Sequence, residues 1–122
     1  MANPVNSGAL AIPAGATTTQ TSPDLTNPDA RGVTVTLDMT VVGTGSVTVT
    51  IQGKDPGSKK YYTLLAGAAV ITNTTNRYTV YPGGTVTAFV SASDALPGTW
   101  RILVTAGNAN PATYTVGWST LA

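Results

Sequence analysis

The side chains that could do chemistry are few enough to be taken one at a time. The chain has five Asp, three Lys and three Arg, and it has no His, Cys or Glu. General acid–base catalysis needs two proton-transferring groups gathered in one cleft. The carboxylates available are Asp24, Asp29, Asp38, Asp55 and Asp94. Asp55 and Asp94 lie in turn-forming stretches, where Asp bonds to its own backbone. Asp38 falls on the polar face of an alternating run, and Asp24 and Asp29 flank prolines near the N-terminus. No two of them are expected to meet. A Ser or Thr nucleophile needs a base; without His, only Lys54, Lys59 and Lys60 remain, all in one polar loop. Transition-metal sites want His or Cys. Asp24, Asn27 and Asp29 do not follow the spacing of a calcium loop. Gly43-Thr44-Gly45 and Pro82-Gly83-Gly84-Thr85 lack the Lys and the following helix of a phosphate loop and read as turns. Asn73-Thr74-Thr75 matches a glycosylation acceptor pattern, but nothing else suggests secretion. The expectation is a protein that is not an enzyme, with no catalytic residue, metal or cofactor.

Composition narrows the class further. The 122 residues suit one domain, and only 9% are charged, against roughly 25% in an average soluble domain. The net charge is +1 and no basic stripe exists beyond Lys59-Lys60 with Lys54 nearby, so nucleic acid is not an expected partner. The apolar run from Ala66 to Ile71 is too short to span a bilayer, and Leu10-Ala11-Ile12 is broken by Pro13. Neither a membrane partner nor a signal peptide is expected. Zero Cys leaves no disulfide framework.

The elements that would have to position any site are strands. From Gly32, the residues Val33, Val35, Leu37, Met39 and Val41 alternate with Thr34, Thr36, Asp38 and Thr40. That period of two marks a half-buried antiparallel strand. After Gly43–Ser46, Val47, Val49 and Ile51 alternate with Thr48, Thr50 and Gln52, which reads as the second arm of a hairpin. Further runs lie at Tyr61–Leu65, Tyr78–Tyr81, Val86–Val90, Trp100–Thr105 and Tyr114–Trp118, separated by turn chemistry at Asp55–Ser58, Pro82–Gly84, Asp94–Gly98 and Asn108–Pro111. Seven or eight strands at about 10-residue spacing predict an all-β, Ig-like antiparallel β-sandwich. Trp100 is its natural core anchor, and Val35, Leu37, Val49, Ile51, Ile102, Val104 and Val116 are expected to face inward with it.

Residues 1–31 read differently and are divided from the sandwich domain, 32–122. Pro4, Pro13, Pro23 and Pro28 favour extended backbone, with a short strand possible over Gly15–Thr21. The expectation is an extended N-terminal arm that orders only against another chain, with Val5, Leu10, Ile12 and Leu25 as contact residues. Removal of residues 1–28 is expected to leave the sandwich folded. Thr34, Thr36, Thr40, Thr48 and Thr50 give neutral strand faces with few of the charges that normally guard an exposed sheet. Such faces suit coverage by copies of the same chain or by a partner lattice.

Several motifs carry a family likeness. Arg31-Gly32 before the long Val/Thr strand, Ile51-Gln52-Gly53-Lys54-Asp55-Pro56, Lys60-Tyr61-Tyr62-Thr63-Leu64-Leu65, Tyr81-Pro82-Gly83, Leu96-Pro97-Gly98-Thr99-Trp100-Arg101 and Tyr114-Thr115-Val116-Gly117 resemble a group of small virion proteins of tailed bacteriophages and prophages. The likeness runs over about residues 31–118. It implies a capsid decoration (head-auxiliary) protein, made in the host cytoplasm and placed on the capsid surface. Its partner would be the phage major capsid protein, and its working unit a homo-oligomer, with a trimer favoured on local threefold positions. A head- or tail-associated module that contacts host glycans is the alternative, through exposed aromatics such as Tyr61, Tyr62, Tyr78 and Tyr81.

Overall fold

The computed structural model describes residues 6–122. Their strands are β1 (Ser7–Ala9), β2 (Gln20–Thr21), β3 (Leu25–Thr26), β4 (Gly32–Val41), β5 (Val47–Lys54), β6 (Tyr61–Ala66), β7 (Thr75–Val80), β8 (Ser91–Ala92), β9 (Thr99–Ala106) and β10 (Thr113–Leu121). No helix occurs among the described residues. Two sheets form a β-sandwich. One runs β1-β10-β4-β7-β8, and the other β2-β9-β5-β6 with β3 also on β9.

Alternation puts one face of each long strand into a shared core. Val35, Leu37, Val49, Ile51, Trp100, Ile102, Val104 and Val116 are all buried, as the period of two requires. The Trp100 ring stands between the sheets, perpendicular to Trp118 with the centroids 5.3 Å apart. On β9, Trp100 lies opposite Gly53 of β5 on one side and Leu25 of β3 on the other. Trp118 in turn lies opposite Gly8 of β1. A Cβ at Gly8 would stand 2.8 Å from the Trp118 ring, so the small residue is what lets β1 lie over the indole.

Four expectations are corrected. First, β4 and β5 do not form a hairpin: β4 pairs with β10 and β7, and β5 with β9 and β6. The turn at Gly43–Ser46 carries the chain from one sheet to the other, so the two strands face each other across the core. Period two shows that one face is buried and leaves the partner open. Second, Val41 is exposed and Val42 buried. The β4–β10 register slips between Thr113 and Tyr114, and a bulge of one residue reverses every side chain beyond it.

Third, Val86–Val90 is not a strand. The chain turns there, and only β8 follows, pairing parallel with β7 where antiparallel pairing throughout was expected. Together with β1 and β3, β8 brings the strands to ten where seven or eight were expected. Fourth, residues 6–31 are ordered against this chain's own sheets. β1 pairs with β10, and β2 and β3 pair with β9, so the segment crosses from one sheet to the other along one side. Leu10, Ile12, Ala16 and Leu25 pack against the core. Ser22 is buried and exchanges bonds with Ile102: its N–H donates to the Ile102 carbonyl at 2.9 Å and its Oγ accepts the Ile102 N–H at 2.8 Å. Buried Asn27 donates from Nδ2 to the Ala30 and Leu96 carbonyls and accepts the Ala30 N–H at Oδ1. The apolar residues spaced along the segment found a core close at hand, on the open side of the sandwich. The expected strand over Gly15–Thr21 shrinks to Gln20–Thr21, preceded by an isolated bridge between Ala16 and Ala112.

Two outcomes follow from this packing. Trp100→Ala is expected to cost about 3–5 kcal/mol, a large share of a total near 5–15 kcal/mol; a melt within a degree or two of the parent would contradict the core assignment. Removal of residues 1–28 uncovers the inter-sheet core and takes Ser22 and Asn27 with it. The truncated chain is therefore expected to lose its cooperative thermal transition, and a melt like that of the full chain would restore the arm as an independent segment.

Candidate functional site

Three surfaces stand out among the described residues. The first is an ionic and aromatic cluster on the outer face of the second sheet. Period two places Gln52 and Lys54 of β5, Tyr61 of β6 and Arg101 of β9 on that face, and the β2–β3 connection brings Asp24 over them. Lys54 Nζ donates to Asp24 Oδ2 at 2.8 Å, and the Tyr61 hydroxyl donates to Asp24 Oδ1 at 2.6 Å. The Arg101 guanidinium lies on the Tyr61 ring, 3.4 Å from its centroid, and its Nε donates to Gln52 Oε1 at 2.8 Å. The bond from Lys54, then that from Tyr61, holds the Asp24 carboxyl below its ordinary range. The same pairing holds the Lys54 ammonium above its own. The bonds from Lys54 and Tyr61 to Asp24 make a clasp between the N-terminal segment and the sheet.

The second surface is a cleft of about 360 Å³ where the N-terminal segment passes from one sheet to the other, walled by Leu10, Ile12, Leu25 and Trp118 with Gln20 and Ser22. No ionisable group lines it. The third is an apolar edge beside β7 and β8. Ile71, Val86, Phe89 and Val90 are exposed there by 65%, 66%, 58% and 46%.

The residues expected at a partner surface are distributed as follows. Val5 lies outside the described residues. Leu10, Ile12 and Leu25 are partly buried against the core, which corrects their reading as a free strap. Tyr61 has one ring face covered by Arg101, whereas Tyr62 is exposed. The four tyrosines weighed for glycan stacking do not converge. Tyr78 is buried on β7, in the sheet opposite Tyr61 and Tyr62, and the Tyr81 hydroxyl donates to the Ala122 carbonyl. Two of the carboxylates, Asp24 and Asp55, were not expected to meet but line one pocket of about 330 Å³ with Lys54 and Lys59; Asp38 and Asp94 are not part of it. Asp55 accepts the Ser58 N–H and hydroxyl in its turn, Asp94 accepts the Ala95 N–H, and Asp38 accepts the Thr75 hydroxyl. Among the described residues, no group of three or more His, Cys, Asp or Glu could hold a metal ion, and no helix is long and apolar enough to cross a membrane. The Asn73 side-chain oxygen accepts the Val42 N–H at 2.8 Å, a structural use of the sequon's Asn.

Sequence reasoning missed the Asp24 clasp and the Phe89 edge. A signal for the second was present. Phe89 and Val90 are adjacent large apolar residues, and in an alternating strand one of them must face outward.

The clasp has a pH signature. A carboxylate held below its unfolded value contributes stability above the ordinary carboxylate range, and that stability is lost as pH falls through the folded value. Asp24→Asn is therefore expected to lower the urea midpoint at neutral pH. The gap from the parent should close in acid, below the carboxylate range; a gap that ignores pH would show that Asp24 acts by other means. No family model, no curated protein and no solved structure matches the chain.

Proposed function

We propose that this chain is a structural phage virion protein: an Ig-like sandwich that binds the outer surface of the capsid, through the major capsid protein, and reinforces it. The observation that carries the reading is the outer face of the first sheet. Its central nine positions across β10, β4 and β7 are Ser119, Thr34 and Thr79; Gly117, Thr36 and Arg77; and Thr115, Asp38 and Thr75. Six of these are hydroxyls, one is an acid and one a base. A sheet face left in water normally carries Lys and Glu, which discourage association. A hydroxyl grid offers instead many short-range donors and acceptors on a stiff, nearly neutral plane.

Such a plane suits a lattice contact made of many weak bonds, each contributing on the order of 1 kcal/mol or less. The resemblance to phage virion proteins supports the same reading, as does the packing of the sandwich without a disulfide. The glycan alternative draws no comparable support, because the tyrosines it needs lie on different sheets.

The test is co-sedimentation with purified phage heads that lack this protein. Stoichiometric binding is expected, and replacement of Thr34, Thr36 and Thr115 by Lys should abolish it while the melt is retained. Occupancy should change less than roughly twofold between low and moderate salt, because rim charge pairs contribute little and are screened. Steep loss with salt, or undiminished binding by the triple-Lys variant, would overturn the reading.

A further inference from the structure

The apolar edge beside β7 is built around a strained turn. Thr87 accepts at its carbonyl from the N–H groups of Val90 and Ser91, at 3.0 and 2.9 Å. The four-residue turn Thr87–Val90 therefore places Phe89 at its third position, and Phe89 has φ of 63°. That position of such a turn calls for the left-handed region and is normally Gly or Asn. A bulky aromatic there is an outlier that costs energy. Burial of the ring offsets little of that cost, since it stays more than half exposed. The turn is nevertheless firmly fixed. Ser91 Oγ donates to the Thr85 carbonyl and accepts the Thr87 N–H, and the Val90 and Ala92 carbonyls accept from Thr79 and Tyr81 of the neighbouring segment. The fold thus spends local strain on holding the chain's single Phe outward, in one orientation, between Val86 and Val90.

Beside this knob lies a hole of about 240 Å³, with an apolar side at Ala68, Ala69 and Ile71, a polar side at Thr74, Asn76 and Arg77, and Phe89 itself among its lining. Arg77 is the one ionisable residue with a fixed charge in that wall, and it makes no ion pair among the described residues. A guanidinium in the wall of such a hole is complementary to the negative face of an aromatic ring. Of the two exposed rings among the described residues, Tyr62 and Phe89, Phe89 is the more exposed and the one that borders the hole.

We propose that the Phe89 edge is a self-association surface, in which the Phe89 ring of a second copy seats in the hole beside Arg77. Because knob and hole border each other, a two-fold axis through the patch satisfies both at once. The contact is therefore isologous, where shell symmetry alone suggested a three-fold ring. Charge does not oppose it, with a net charge of +1 per chain. The apolar patch is small, so the pair falls in the weak class of interfaces and forms by mass action as concentration rises. This inference does not depend on the capsid reading.

Sedimentation equilibrium over a concentration series tests it, with the parent, Phe89→Gly and Phe89→Asn. The parent should fit a monomer–dimer equilibrium. Both variants should be monomeric throughout the series. Their melting midpoints at high dilution should lie within roughly 3 °C of the parent or above it, because Gly and Asn suit the left-handed turn. Arg77→Ala should weaken the dimer at least roughly threefold by loss of the cation–ring contact. A parent that stays monomeric, a parent that forms trimers, or variants that dimerise as the parent does would each overturn the proposal. So would loss of binding to heads in Phe89→Gly with no change in oligomeric state, since that assigns the edge to the capsid.

Discussion

The placement of Trp100 between the two sheets is the constraint on which the rest of the structure depends. A ring that large fits inside a thin sandwich only where its neighbours give way. On β9 it is flanked by Gly53 on one side and Leu25 on the other. Its perpendicular contact is Trp118, which lies under Gly8. Two indoles thus meet at the side of the sandwich where the sheets are least closed, and the N-terminal segment lies across that side. The Trp100 indole N–H is buried with no acceptor among the described residues, a cost that the apolar burial of the ring exceeds.

The N-terminal segment follows from that constraint. It is poor in large apolar residues, and those it has, Leu10, Ile12 and Leu25, reach the flank of the indole pair. Polar fixings then secure it at intervals. Ser22 and Asn27 bond within the interior, and Asp24 clasps Lys54 and Tyr61 outside it. With no disulfide and few charges, the chain closes its open side by this sequence of small fixings.

Much of this was legible in the residues, and what was not has a common physical cause. Alternation identified β4, β5, β9 and β10 with their buried faces, because burial of one face leaves a period of two whatever the partner; β6 does not alternate, and β7 begins at Thr75, ahead of the run expected from Tyr78. The partner itself leaves no such trace. Gly43–Ser46 serves a hairpin and a crossing between sheets equally well, so β4 and β5 were expected to pair and instead oppose each other. The prolines before Gly32 showed an extended path and could not show its destination. The clasp at Asp24 joins residues 30 and 37 positions apart, and no local pattern encodes it. Phe89 beside Val90 signalled an outward-facing residue, but the turn that holds the ring was hidden, because a left-handed position is recognised by Gly or Asn and neither is there. The hydroxyl grid was legible as threonine alternation, but its extent over three strands required the register.

The pairing of β1 with β10 also sets an order of events during synthesis. Ser7 pairs with Ser119 and Gly8 with Trp118, so β1 is made long before the strand it pairs with. Until β9 and β10 emerge, Leu10, Ile12 and Leu25 have no surface to cover, and the strands already made present unpaired edges. Non-local pairing of this kind is slow, because a long loop must close before any contact rewards it. The prolines and the absence of a strong apolar run keep the waiting segment extended and uncommitted, which limits wrong pairing in the interval. Docking of β1, β2 and β3 therefore has to wait until β9 and β10 have been made.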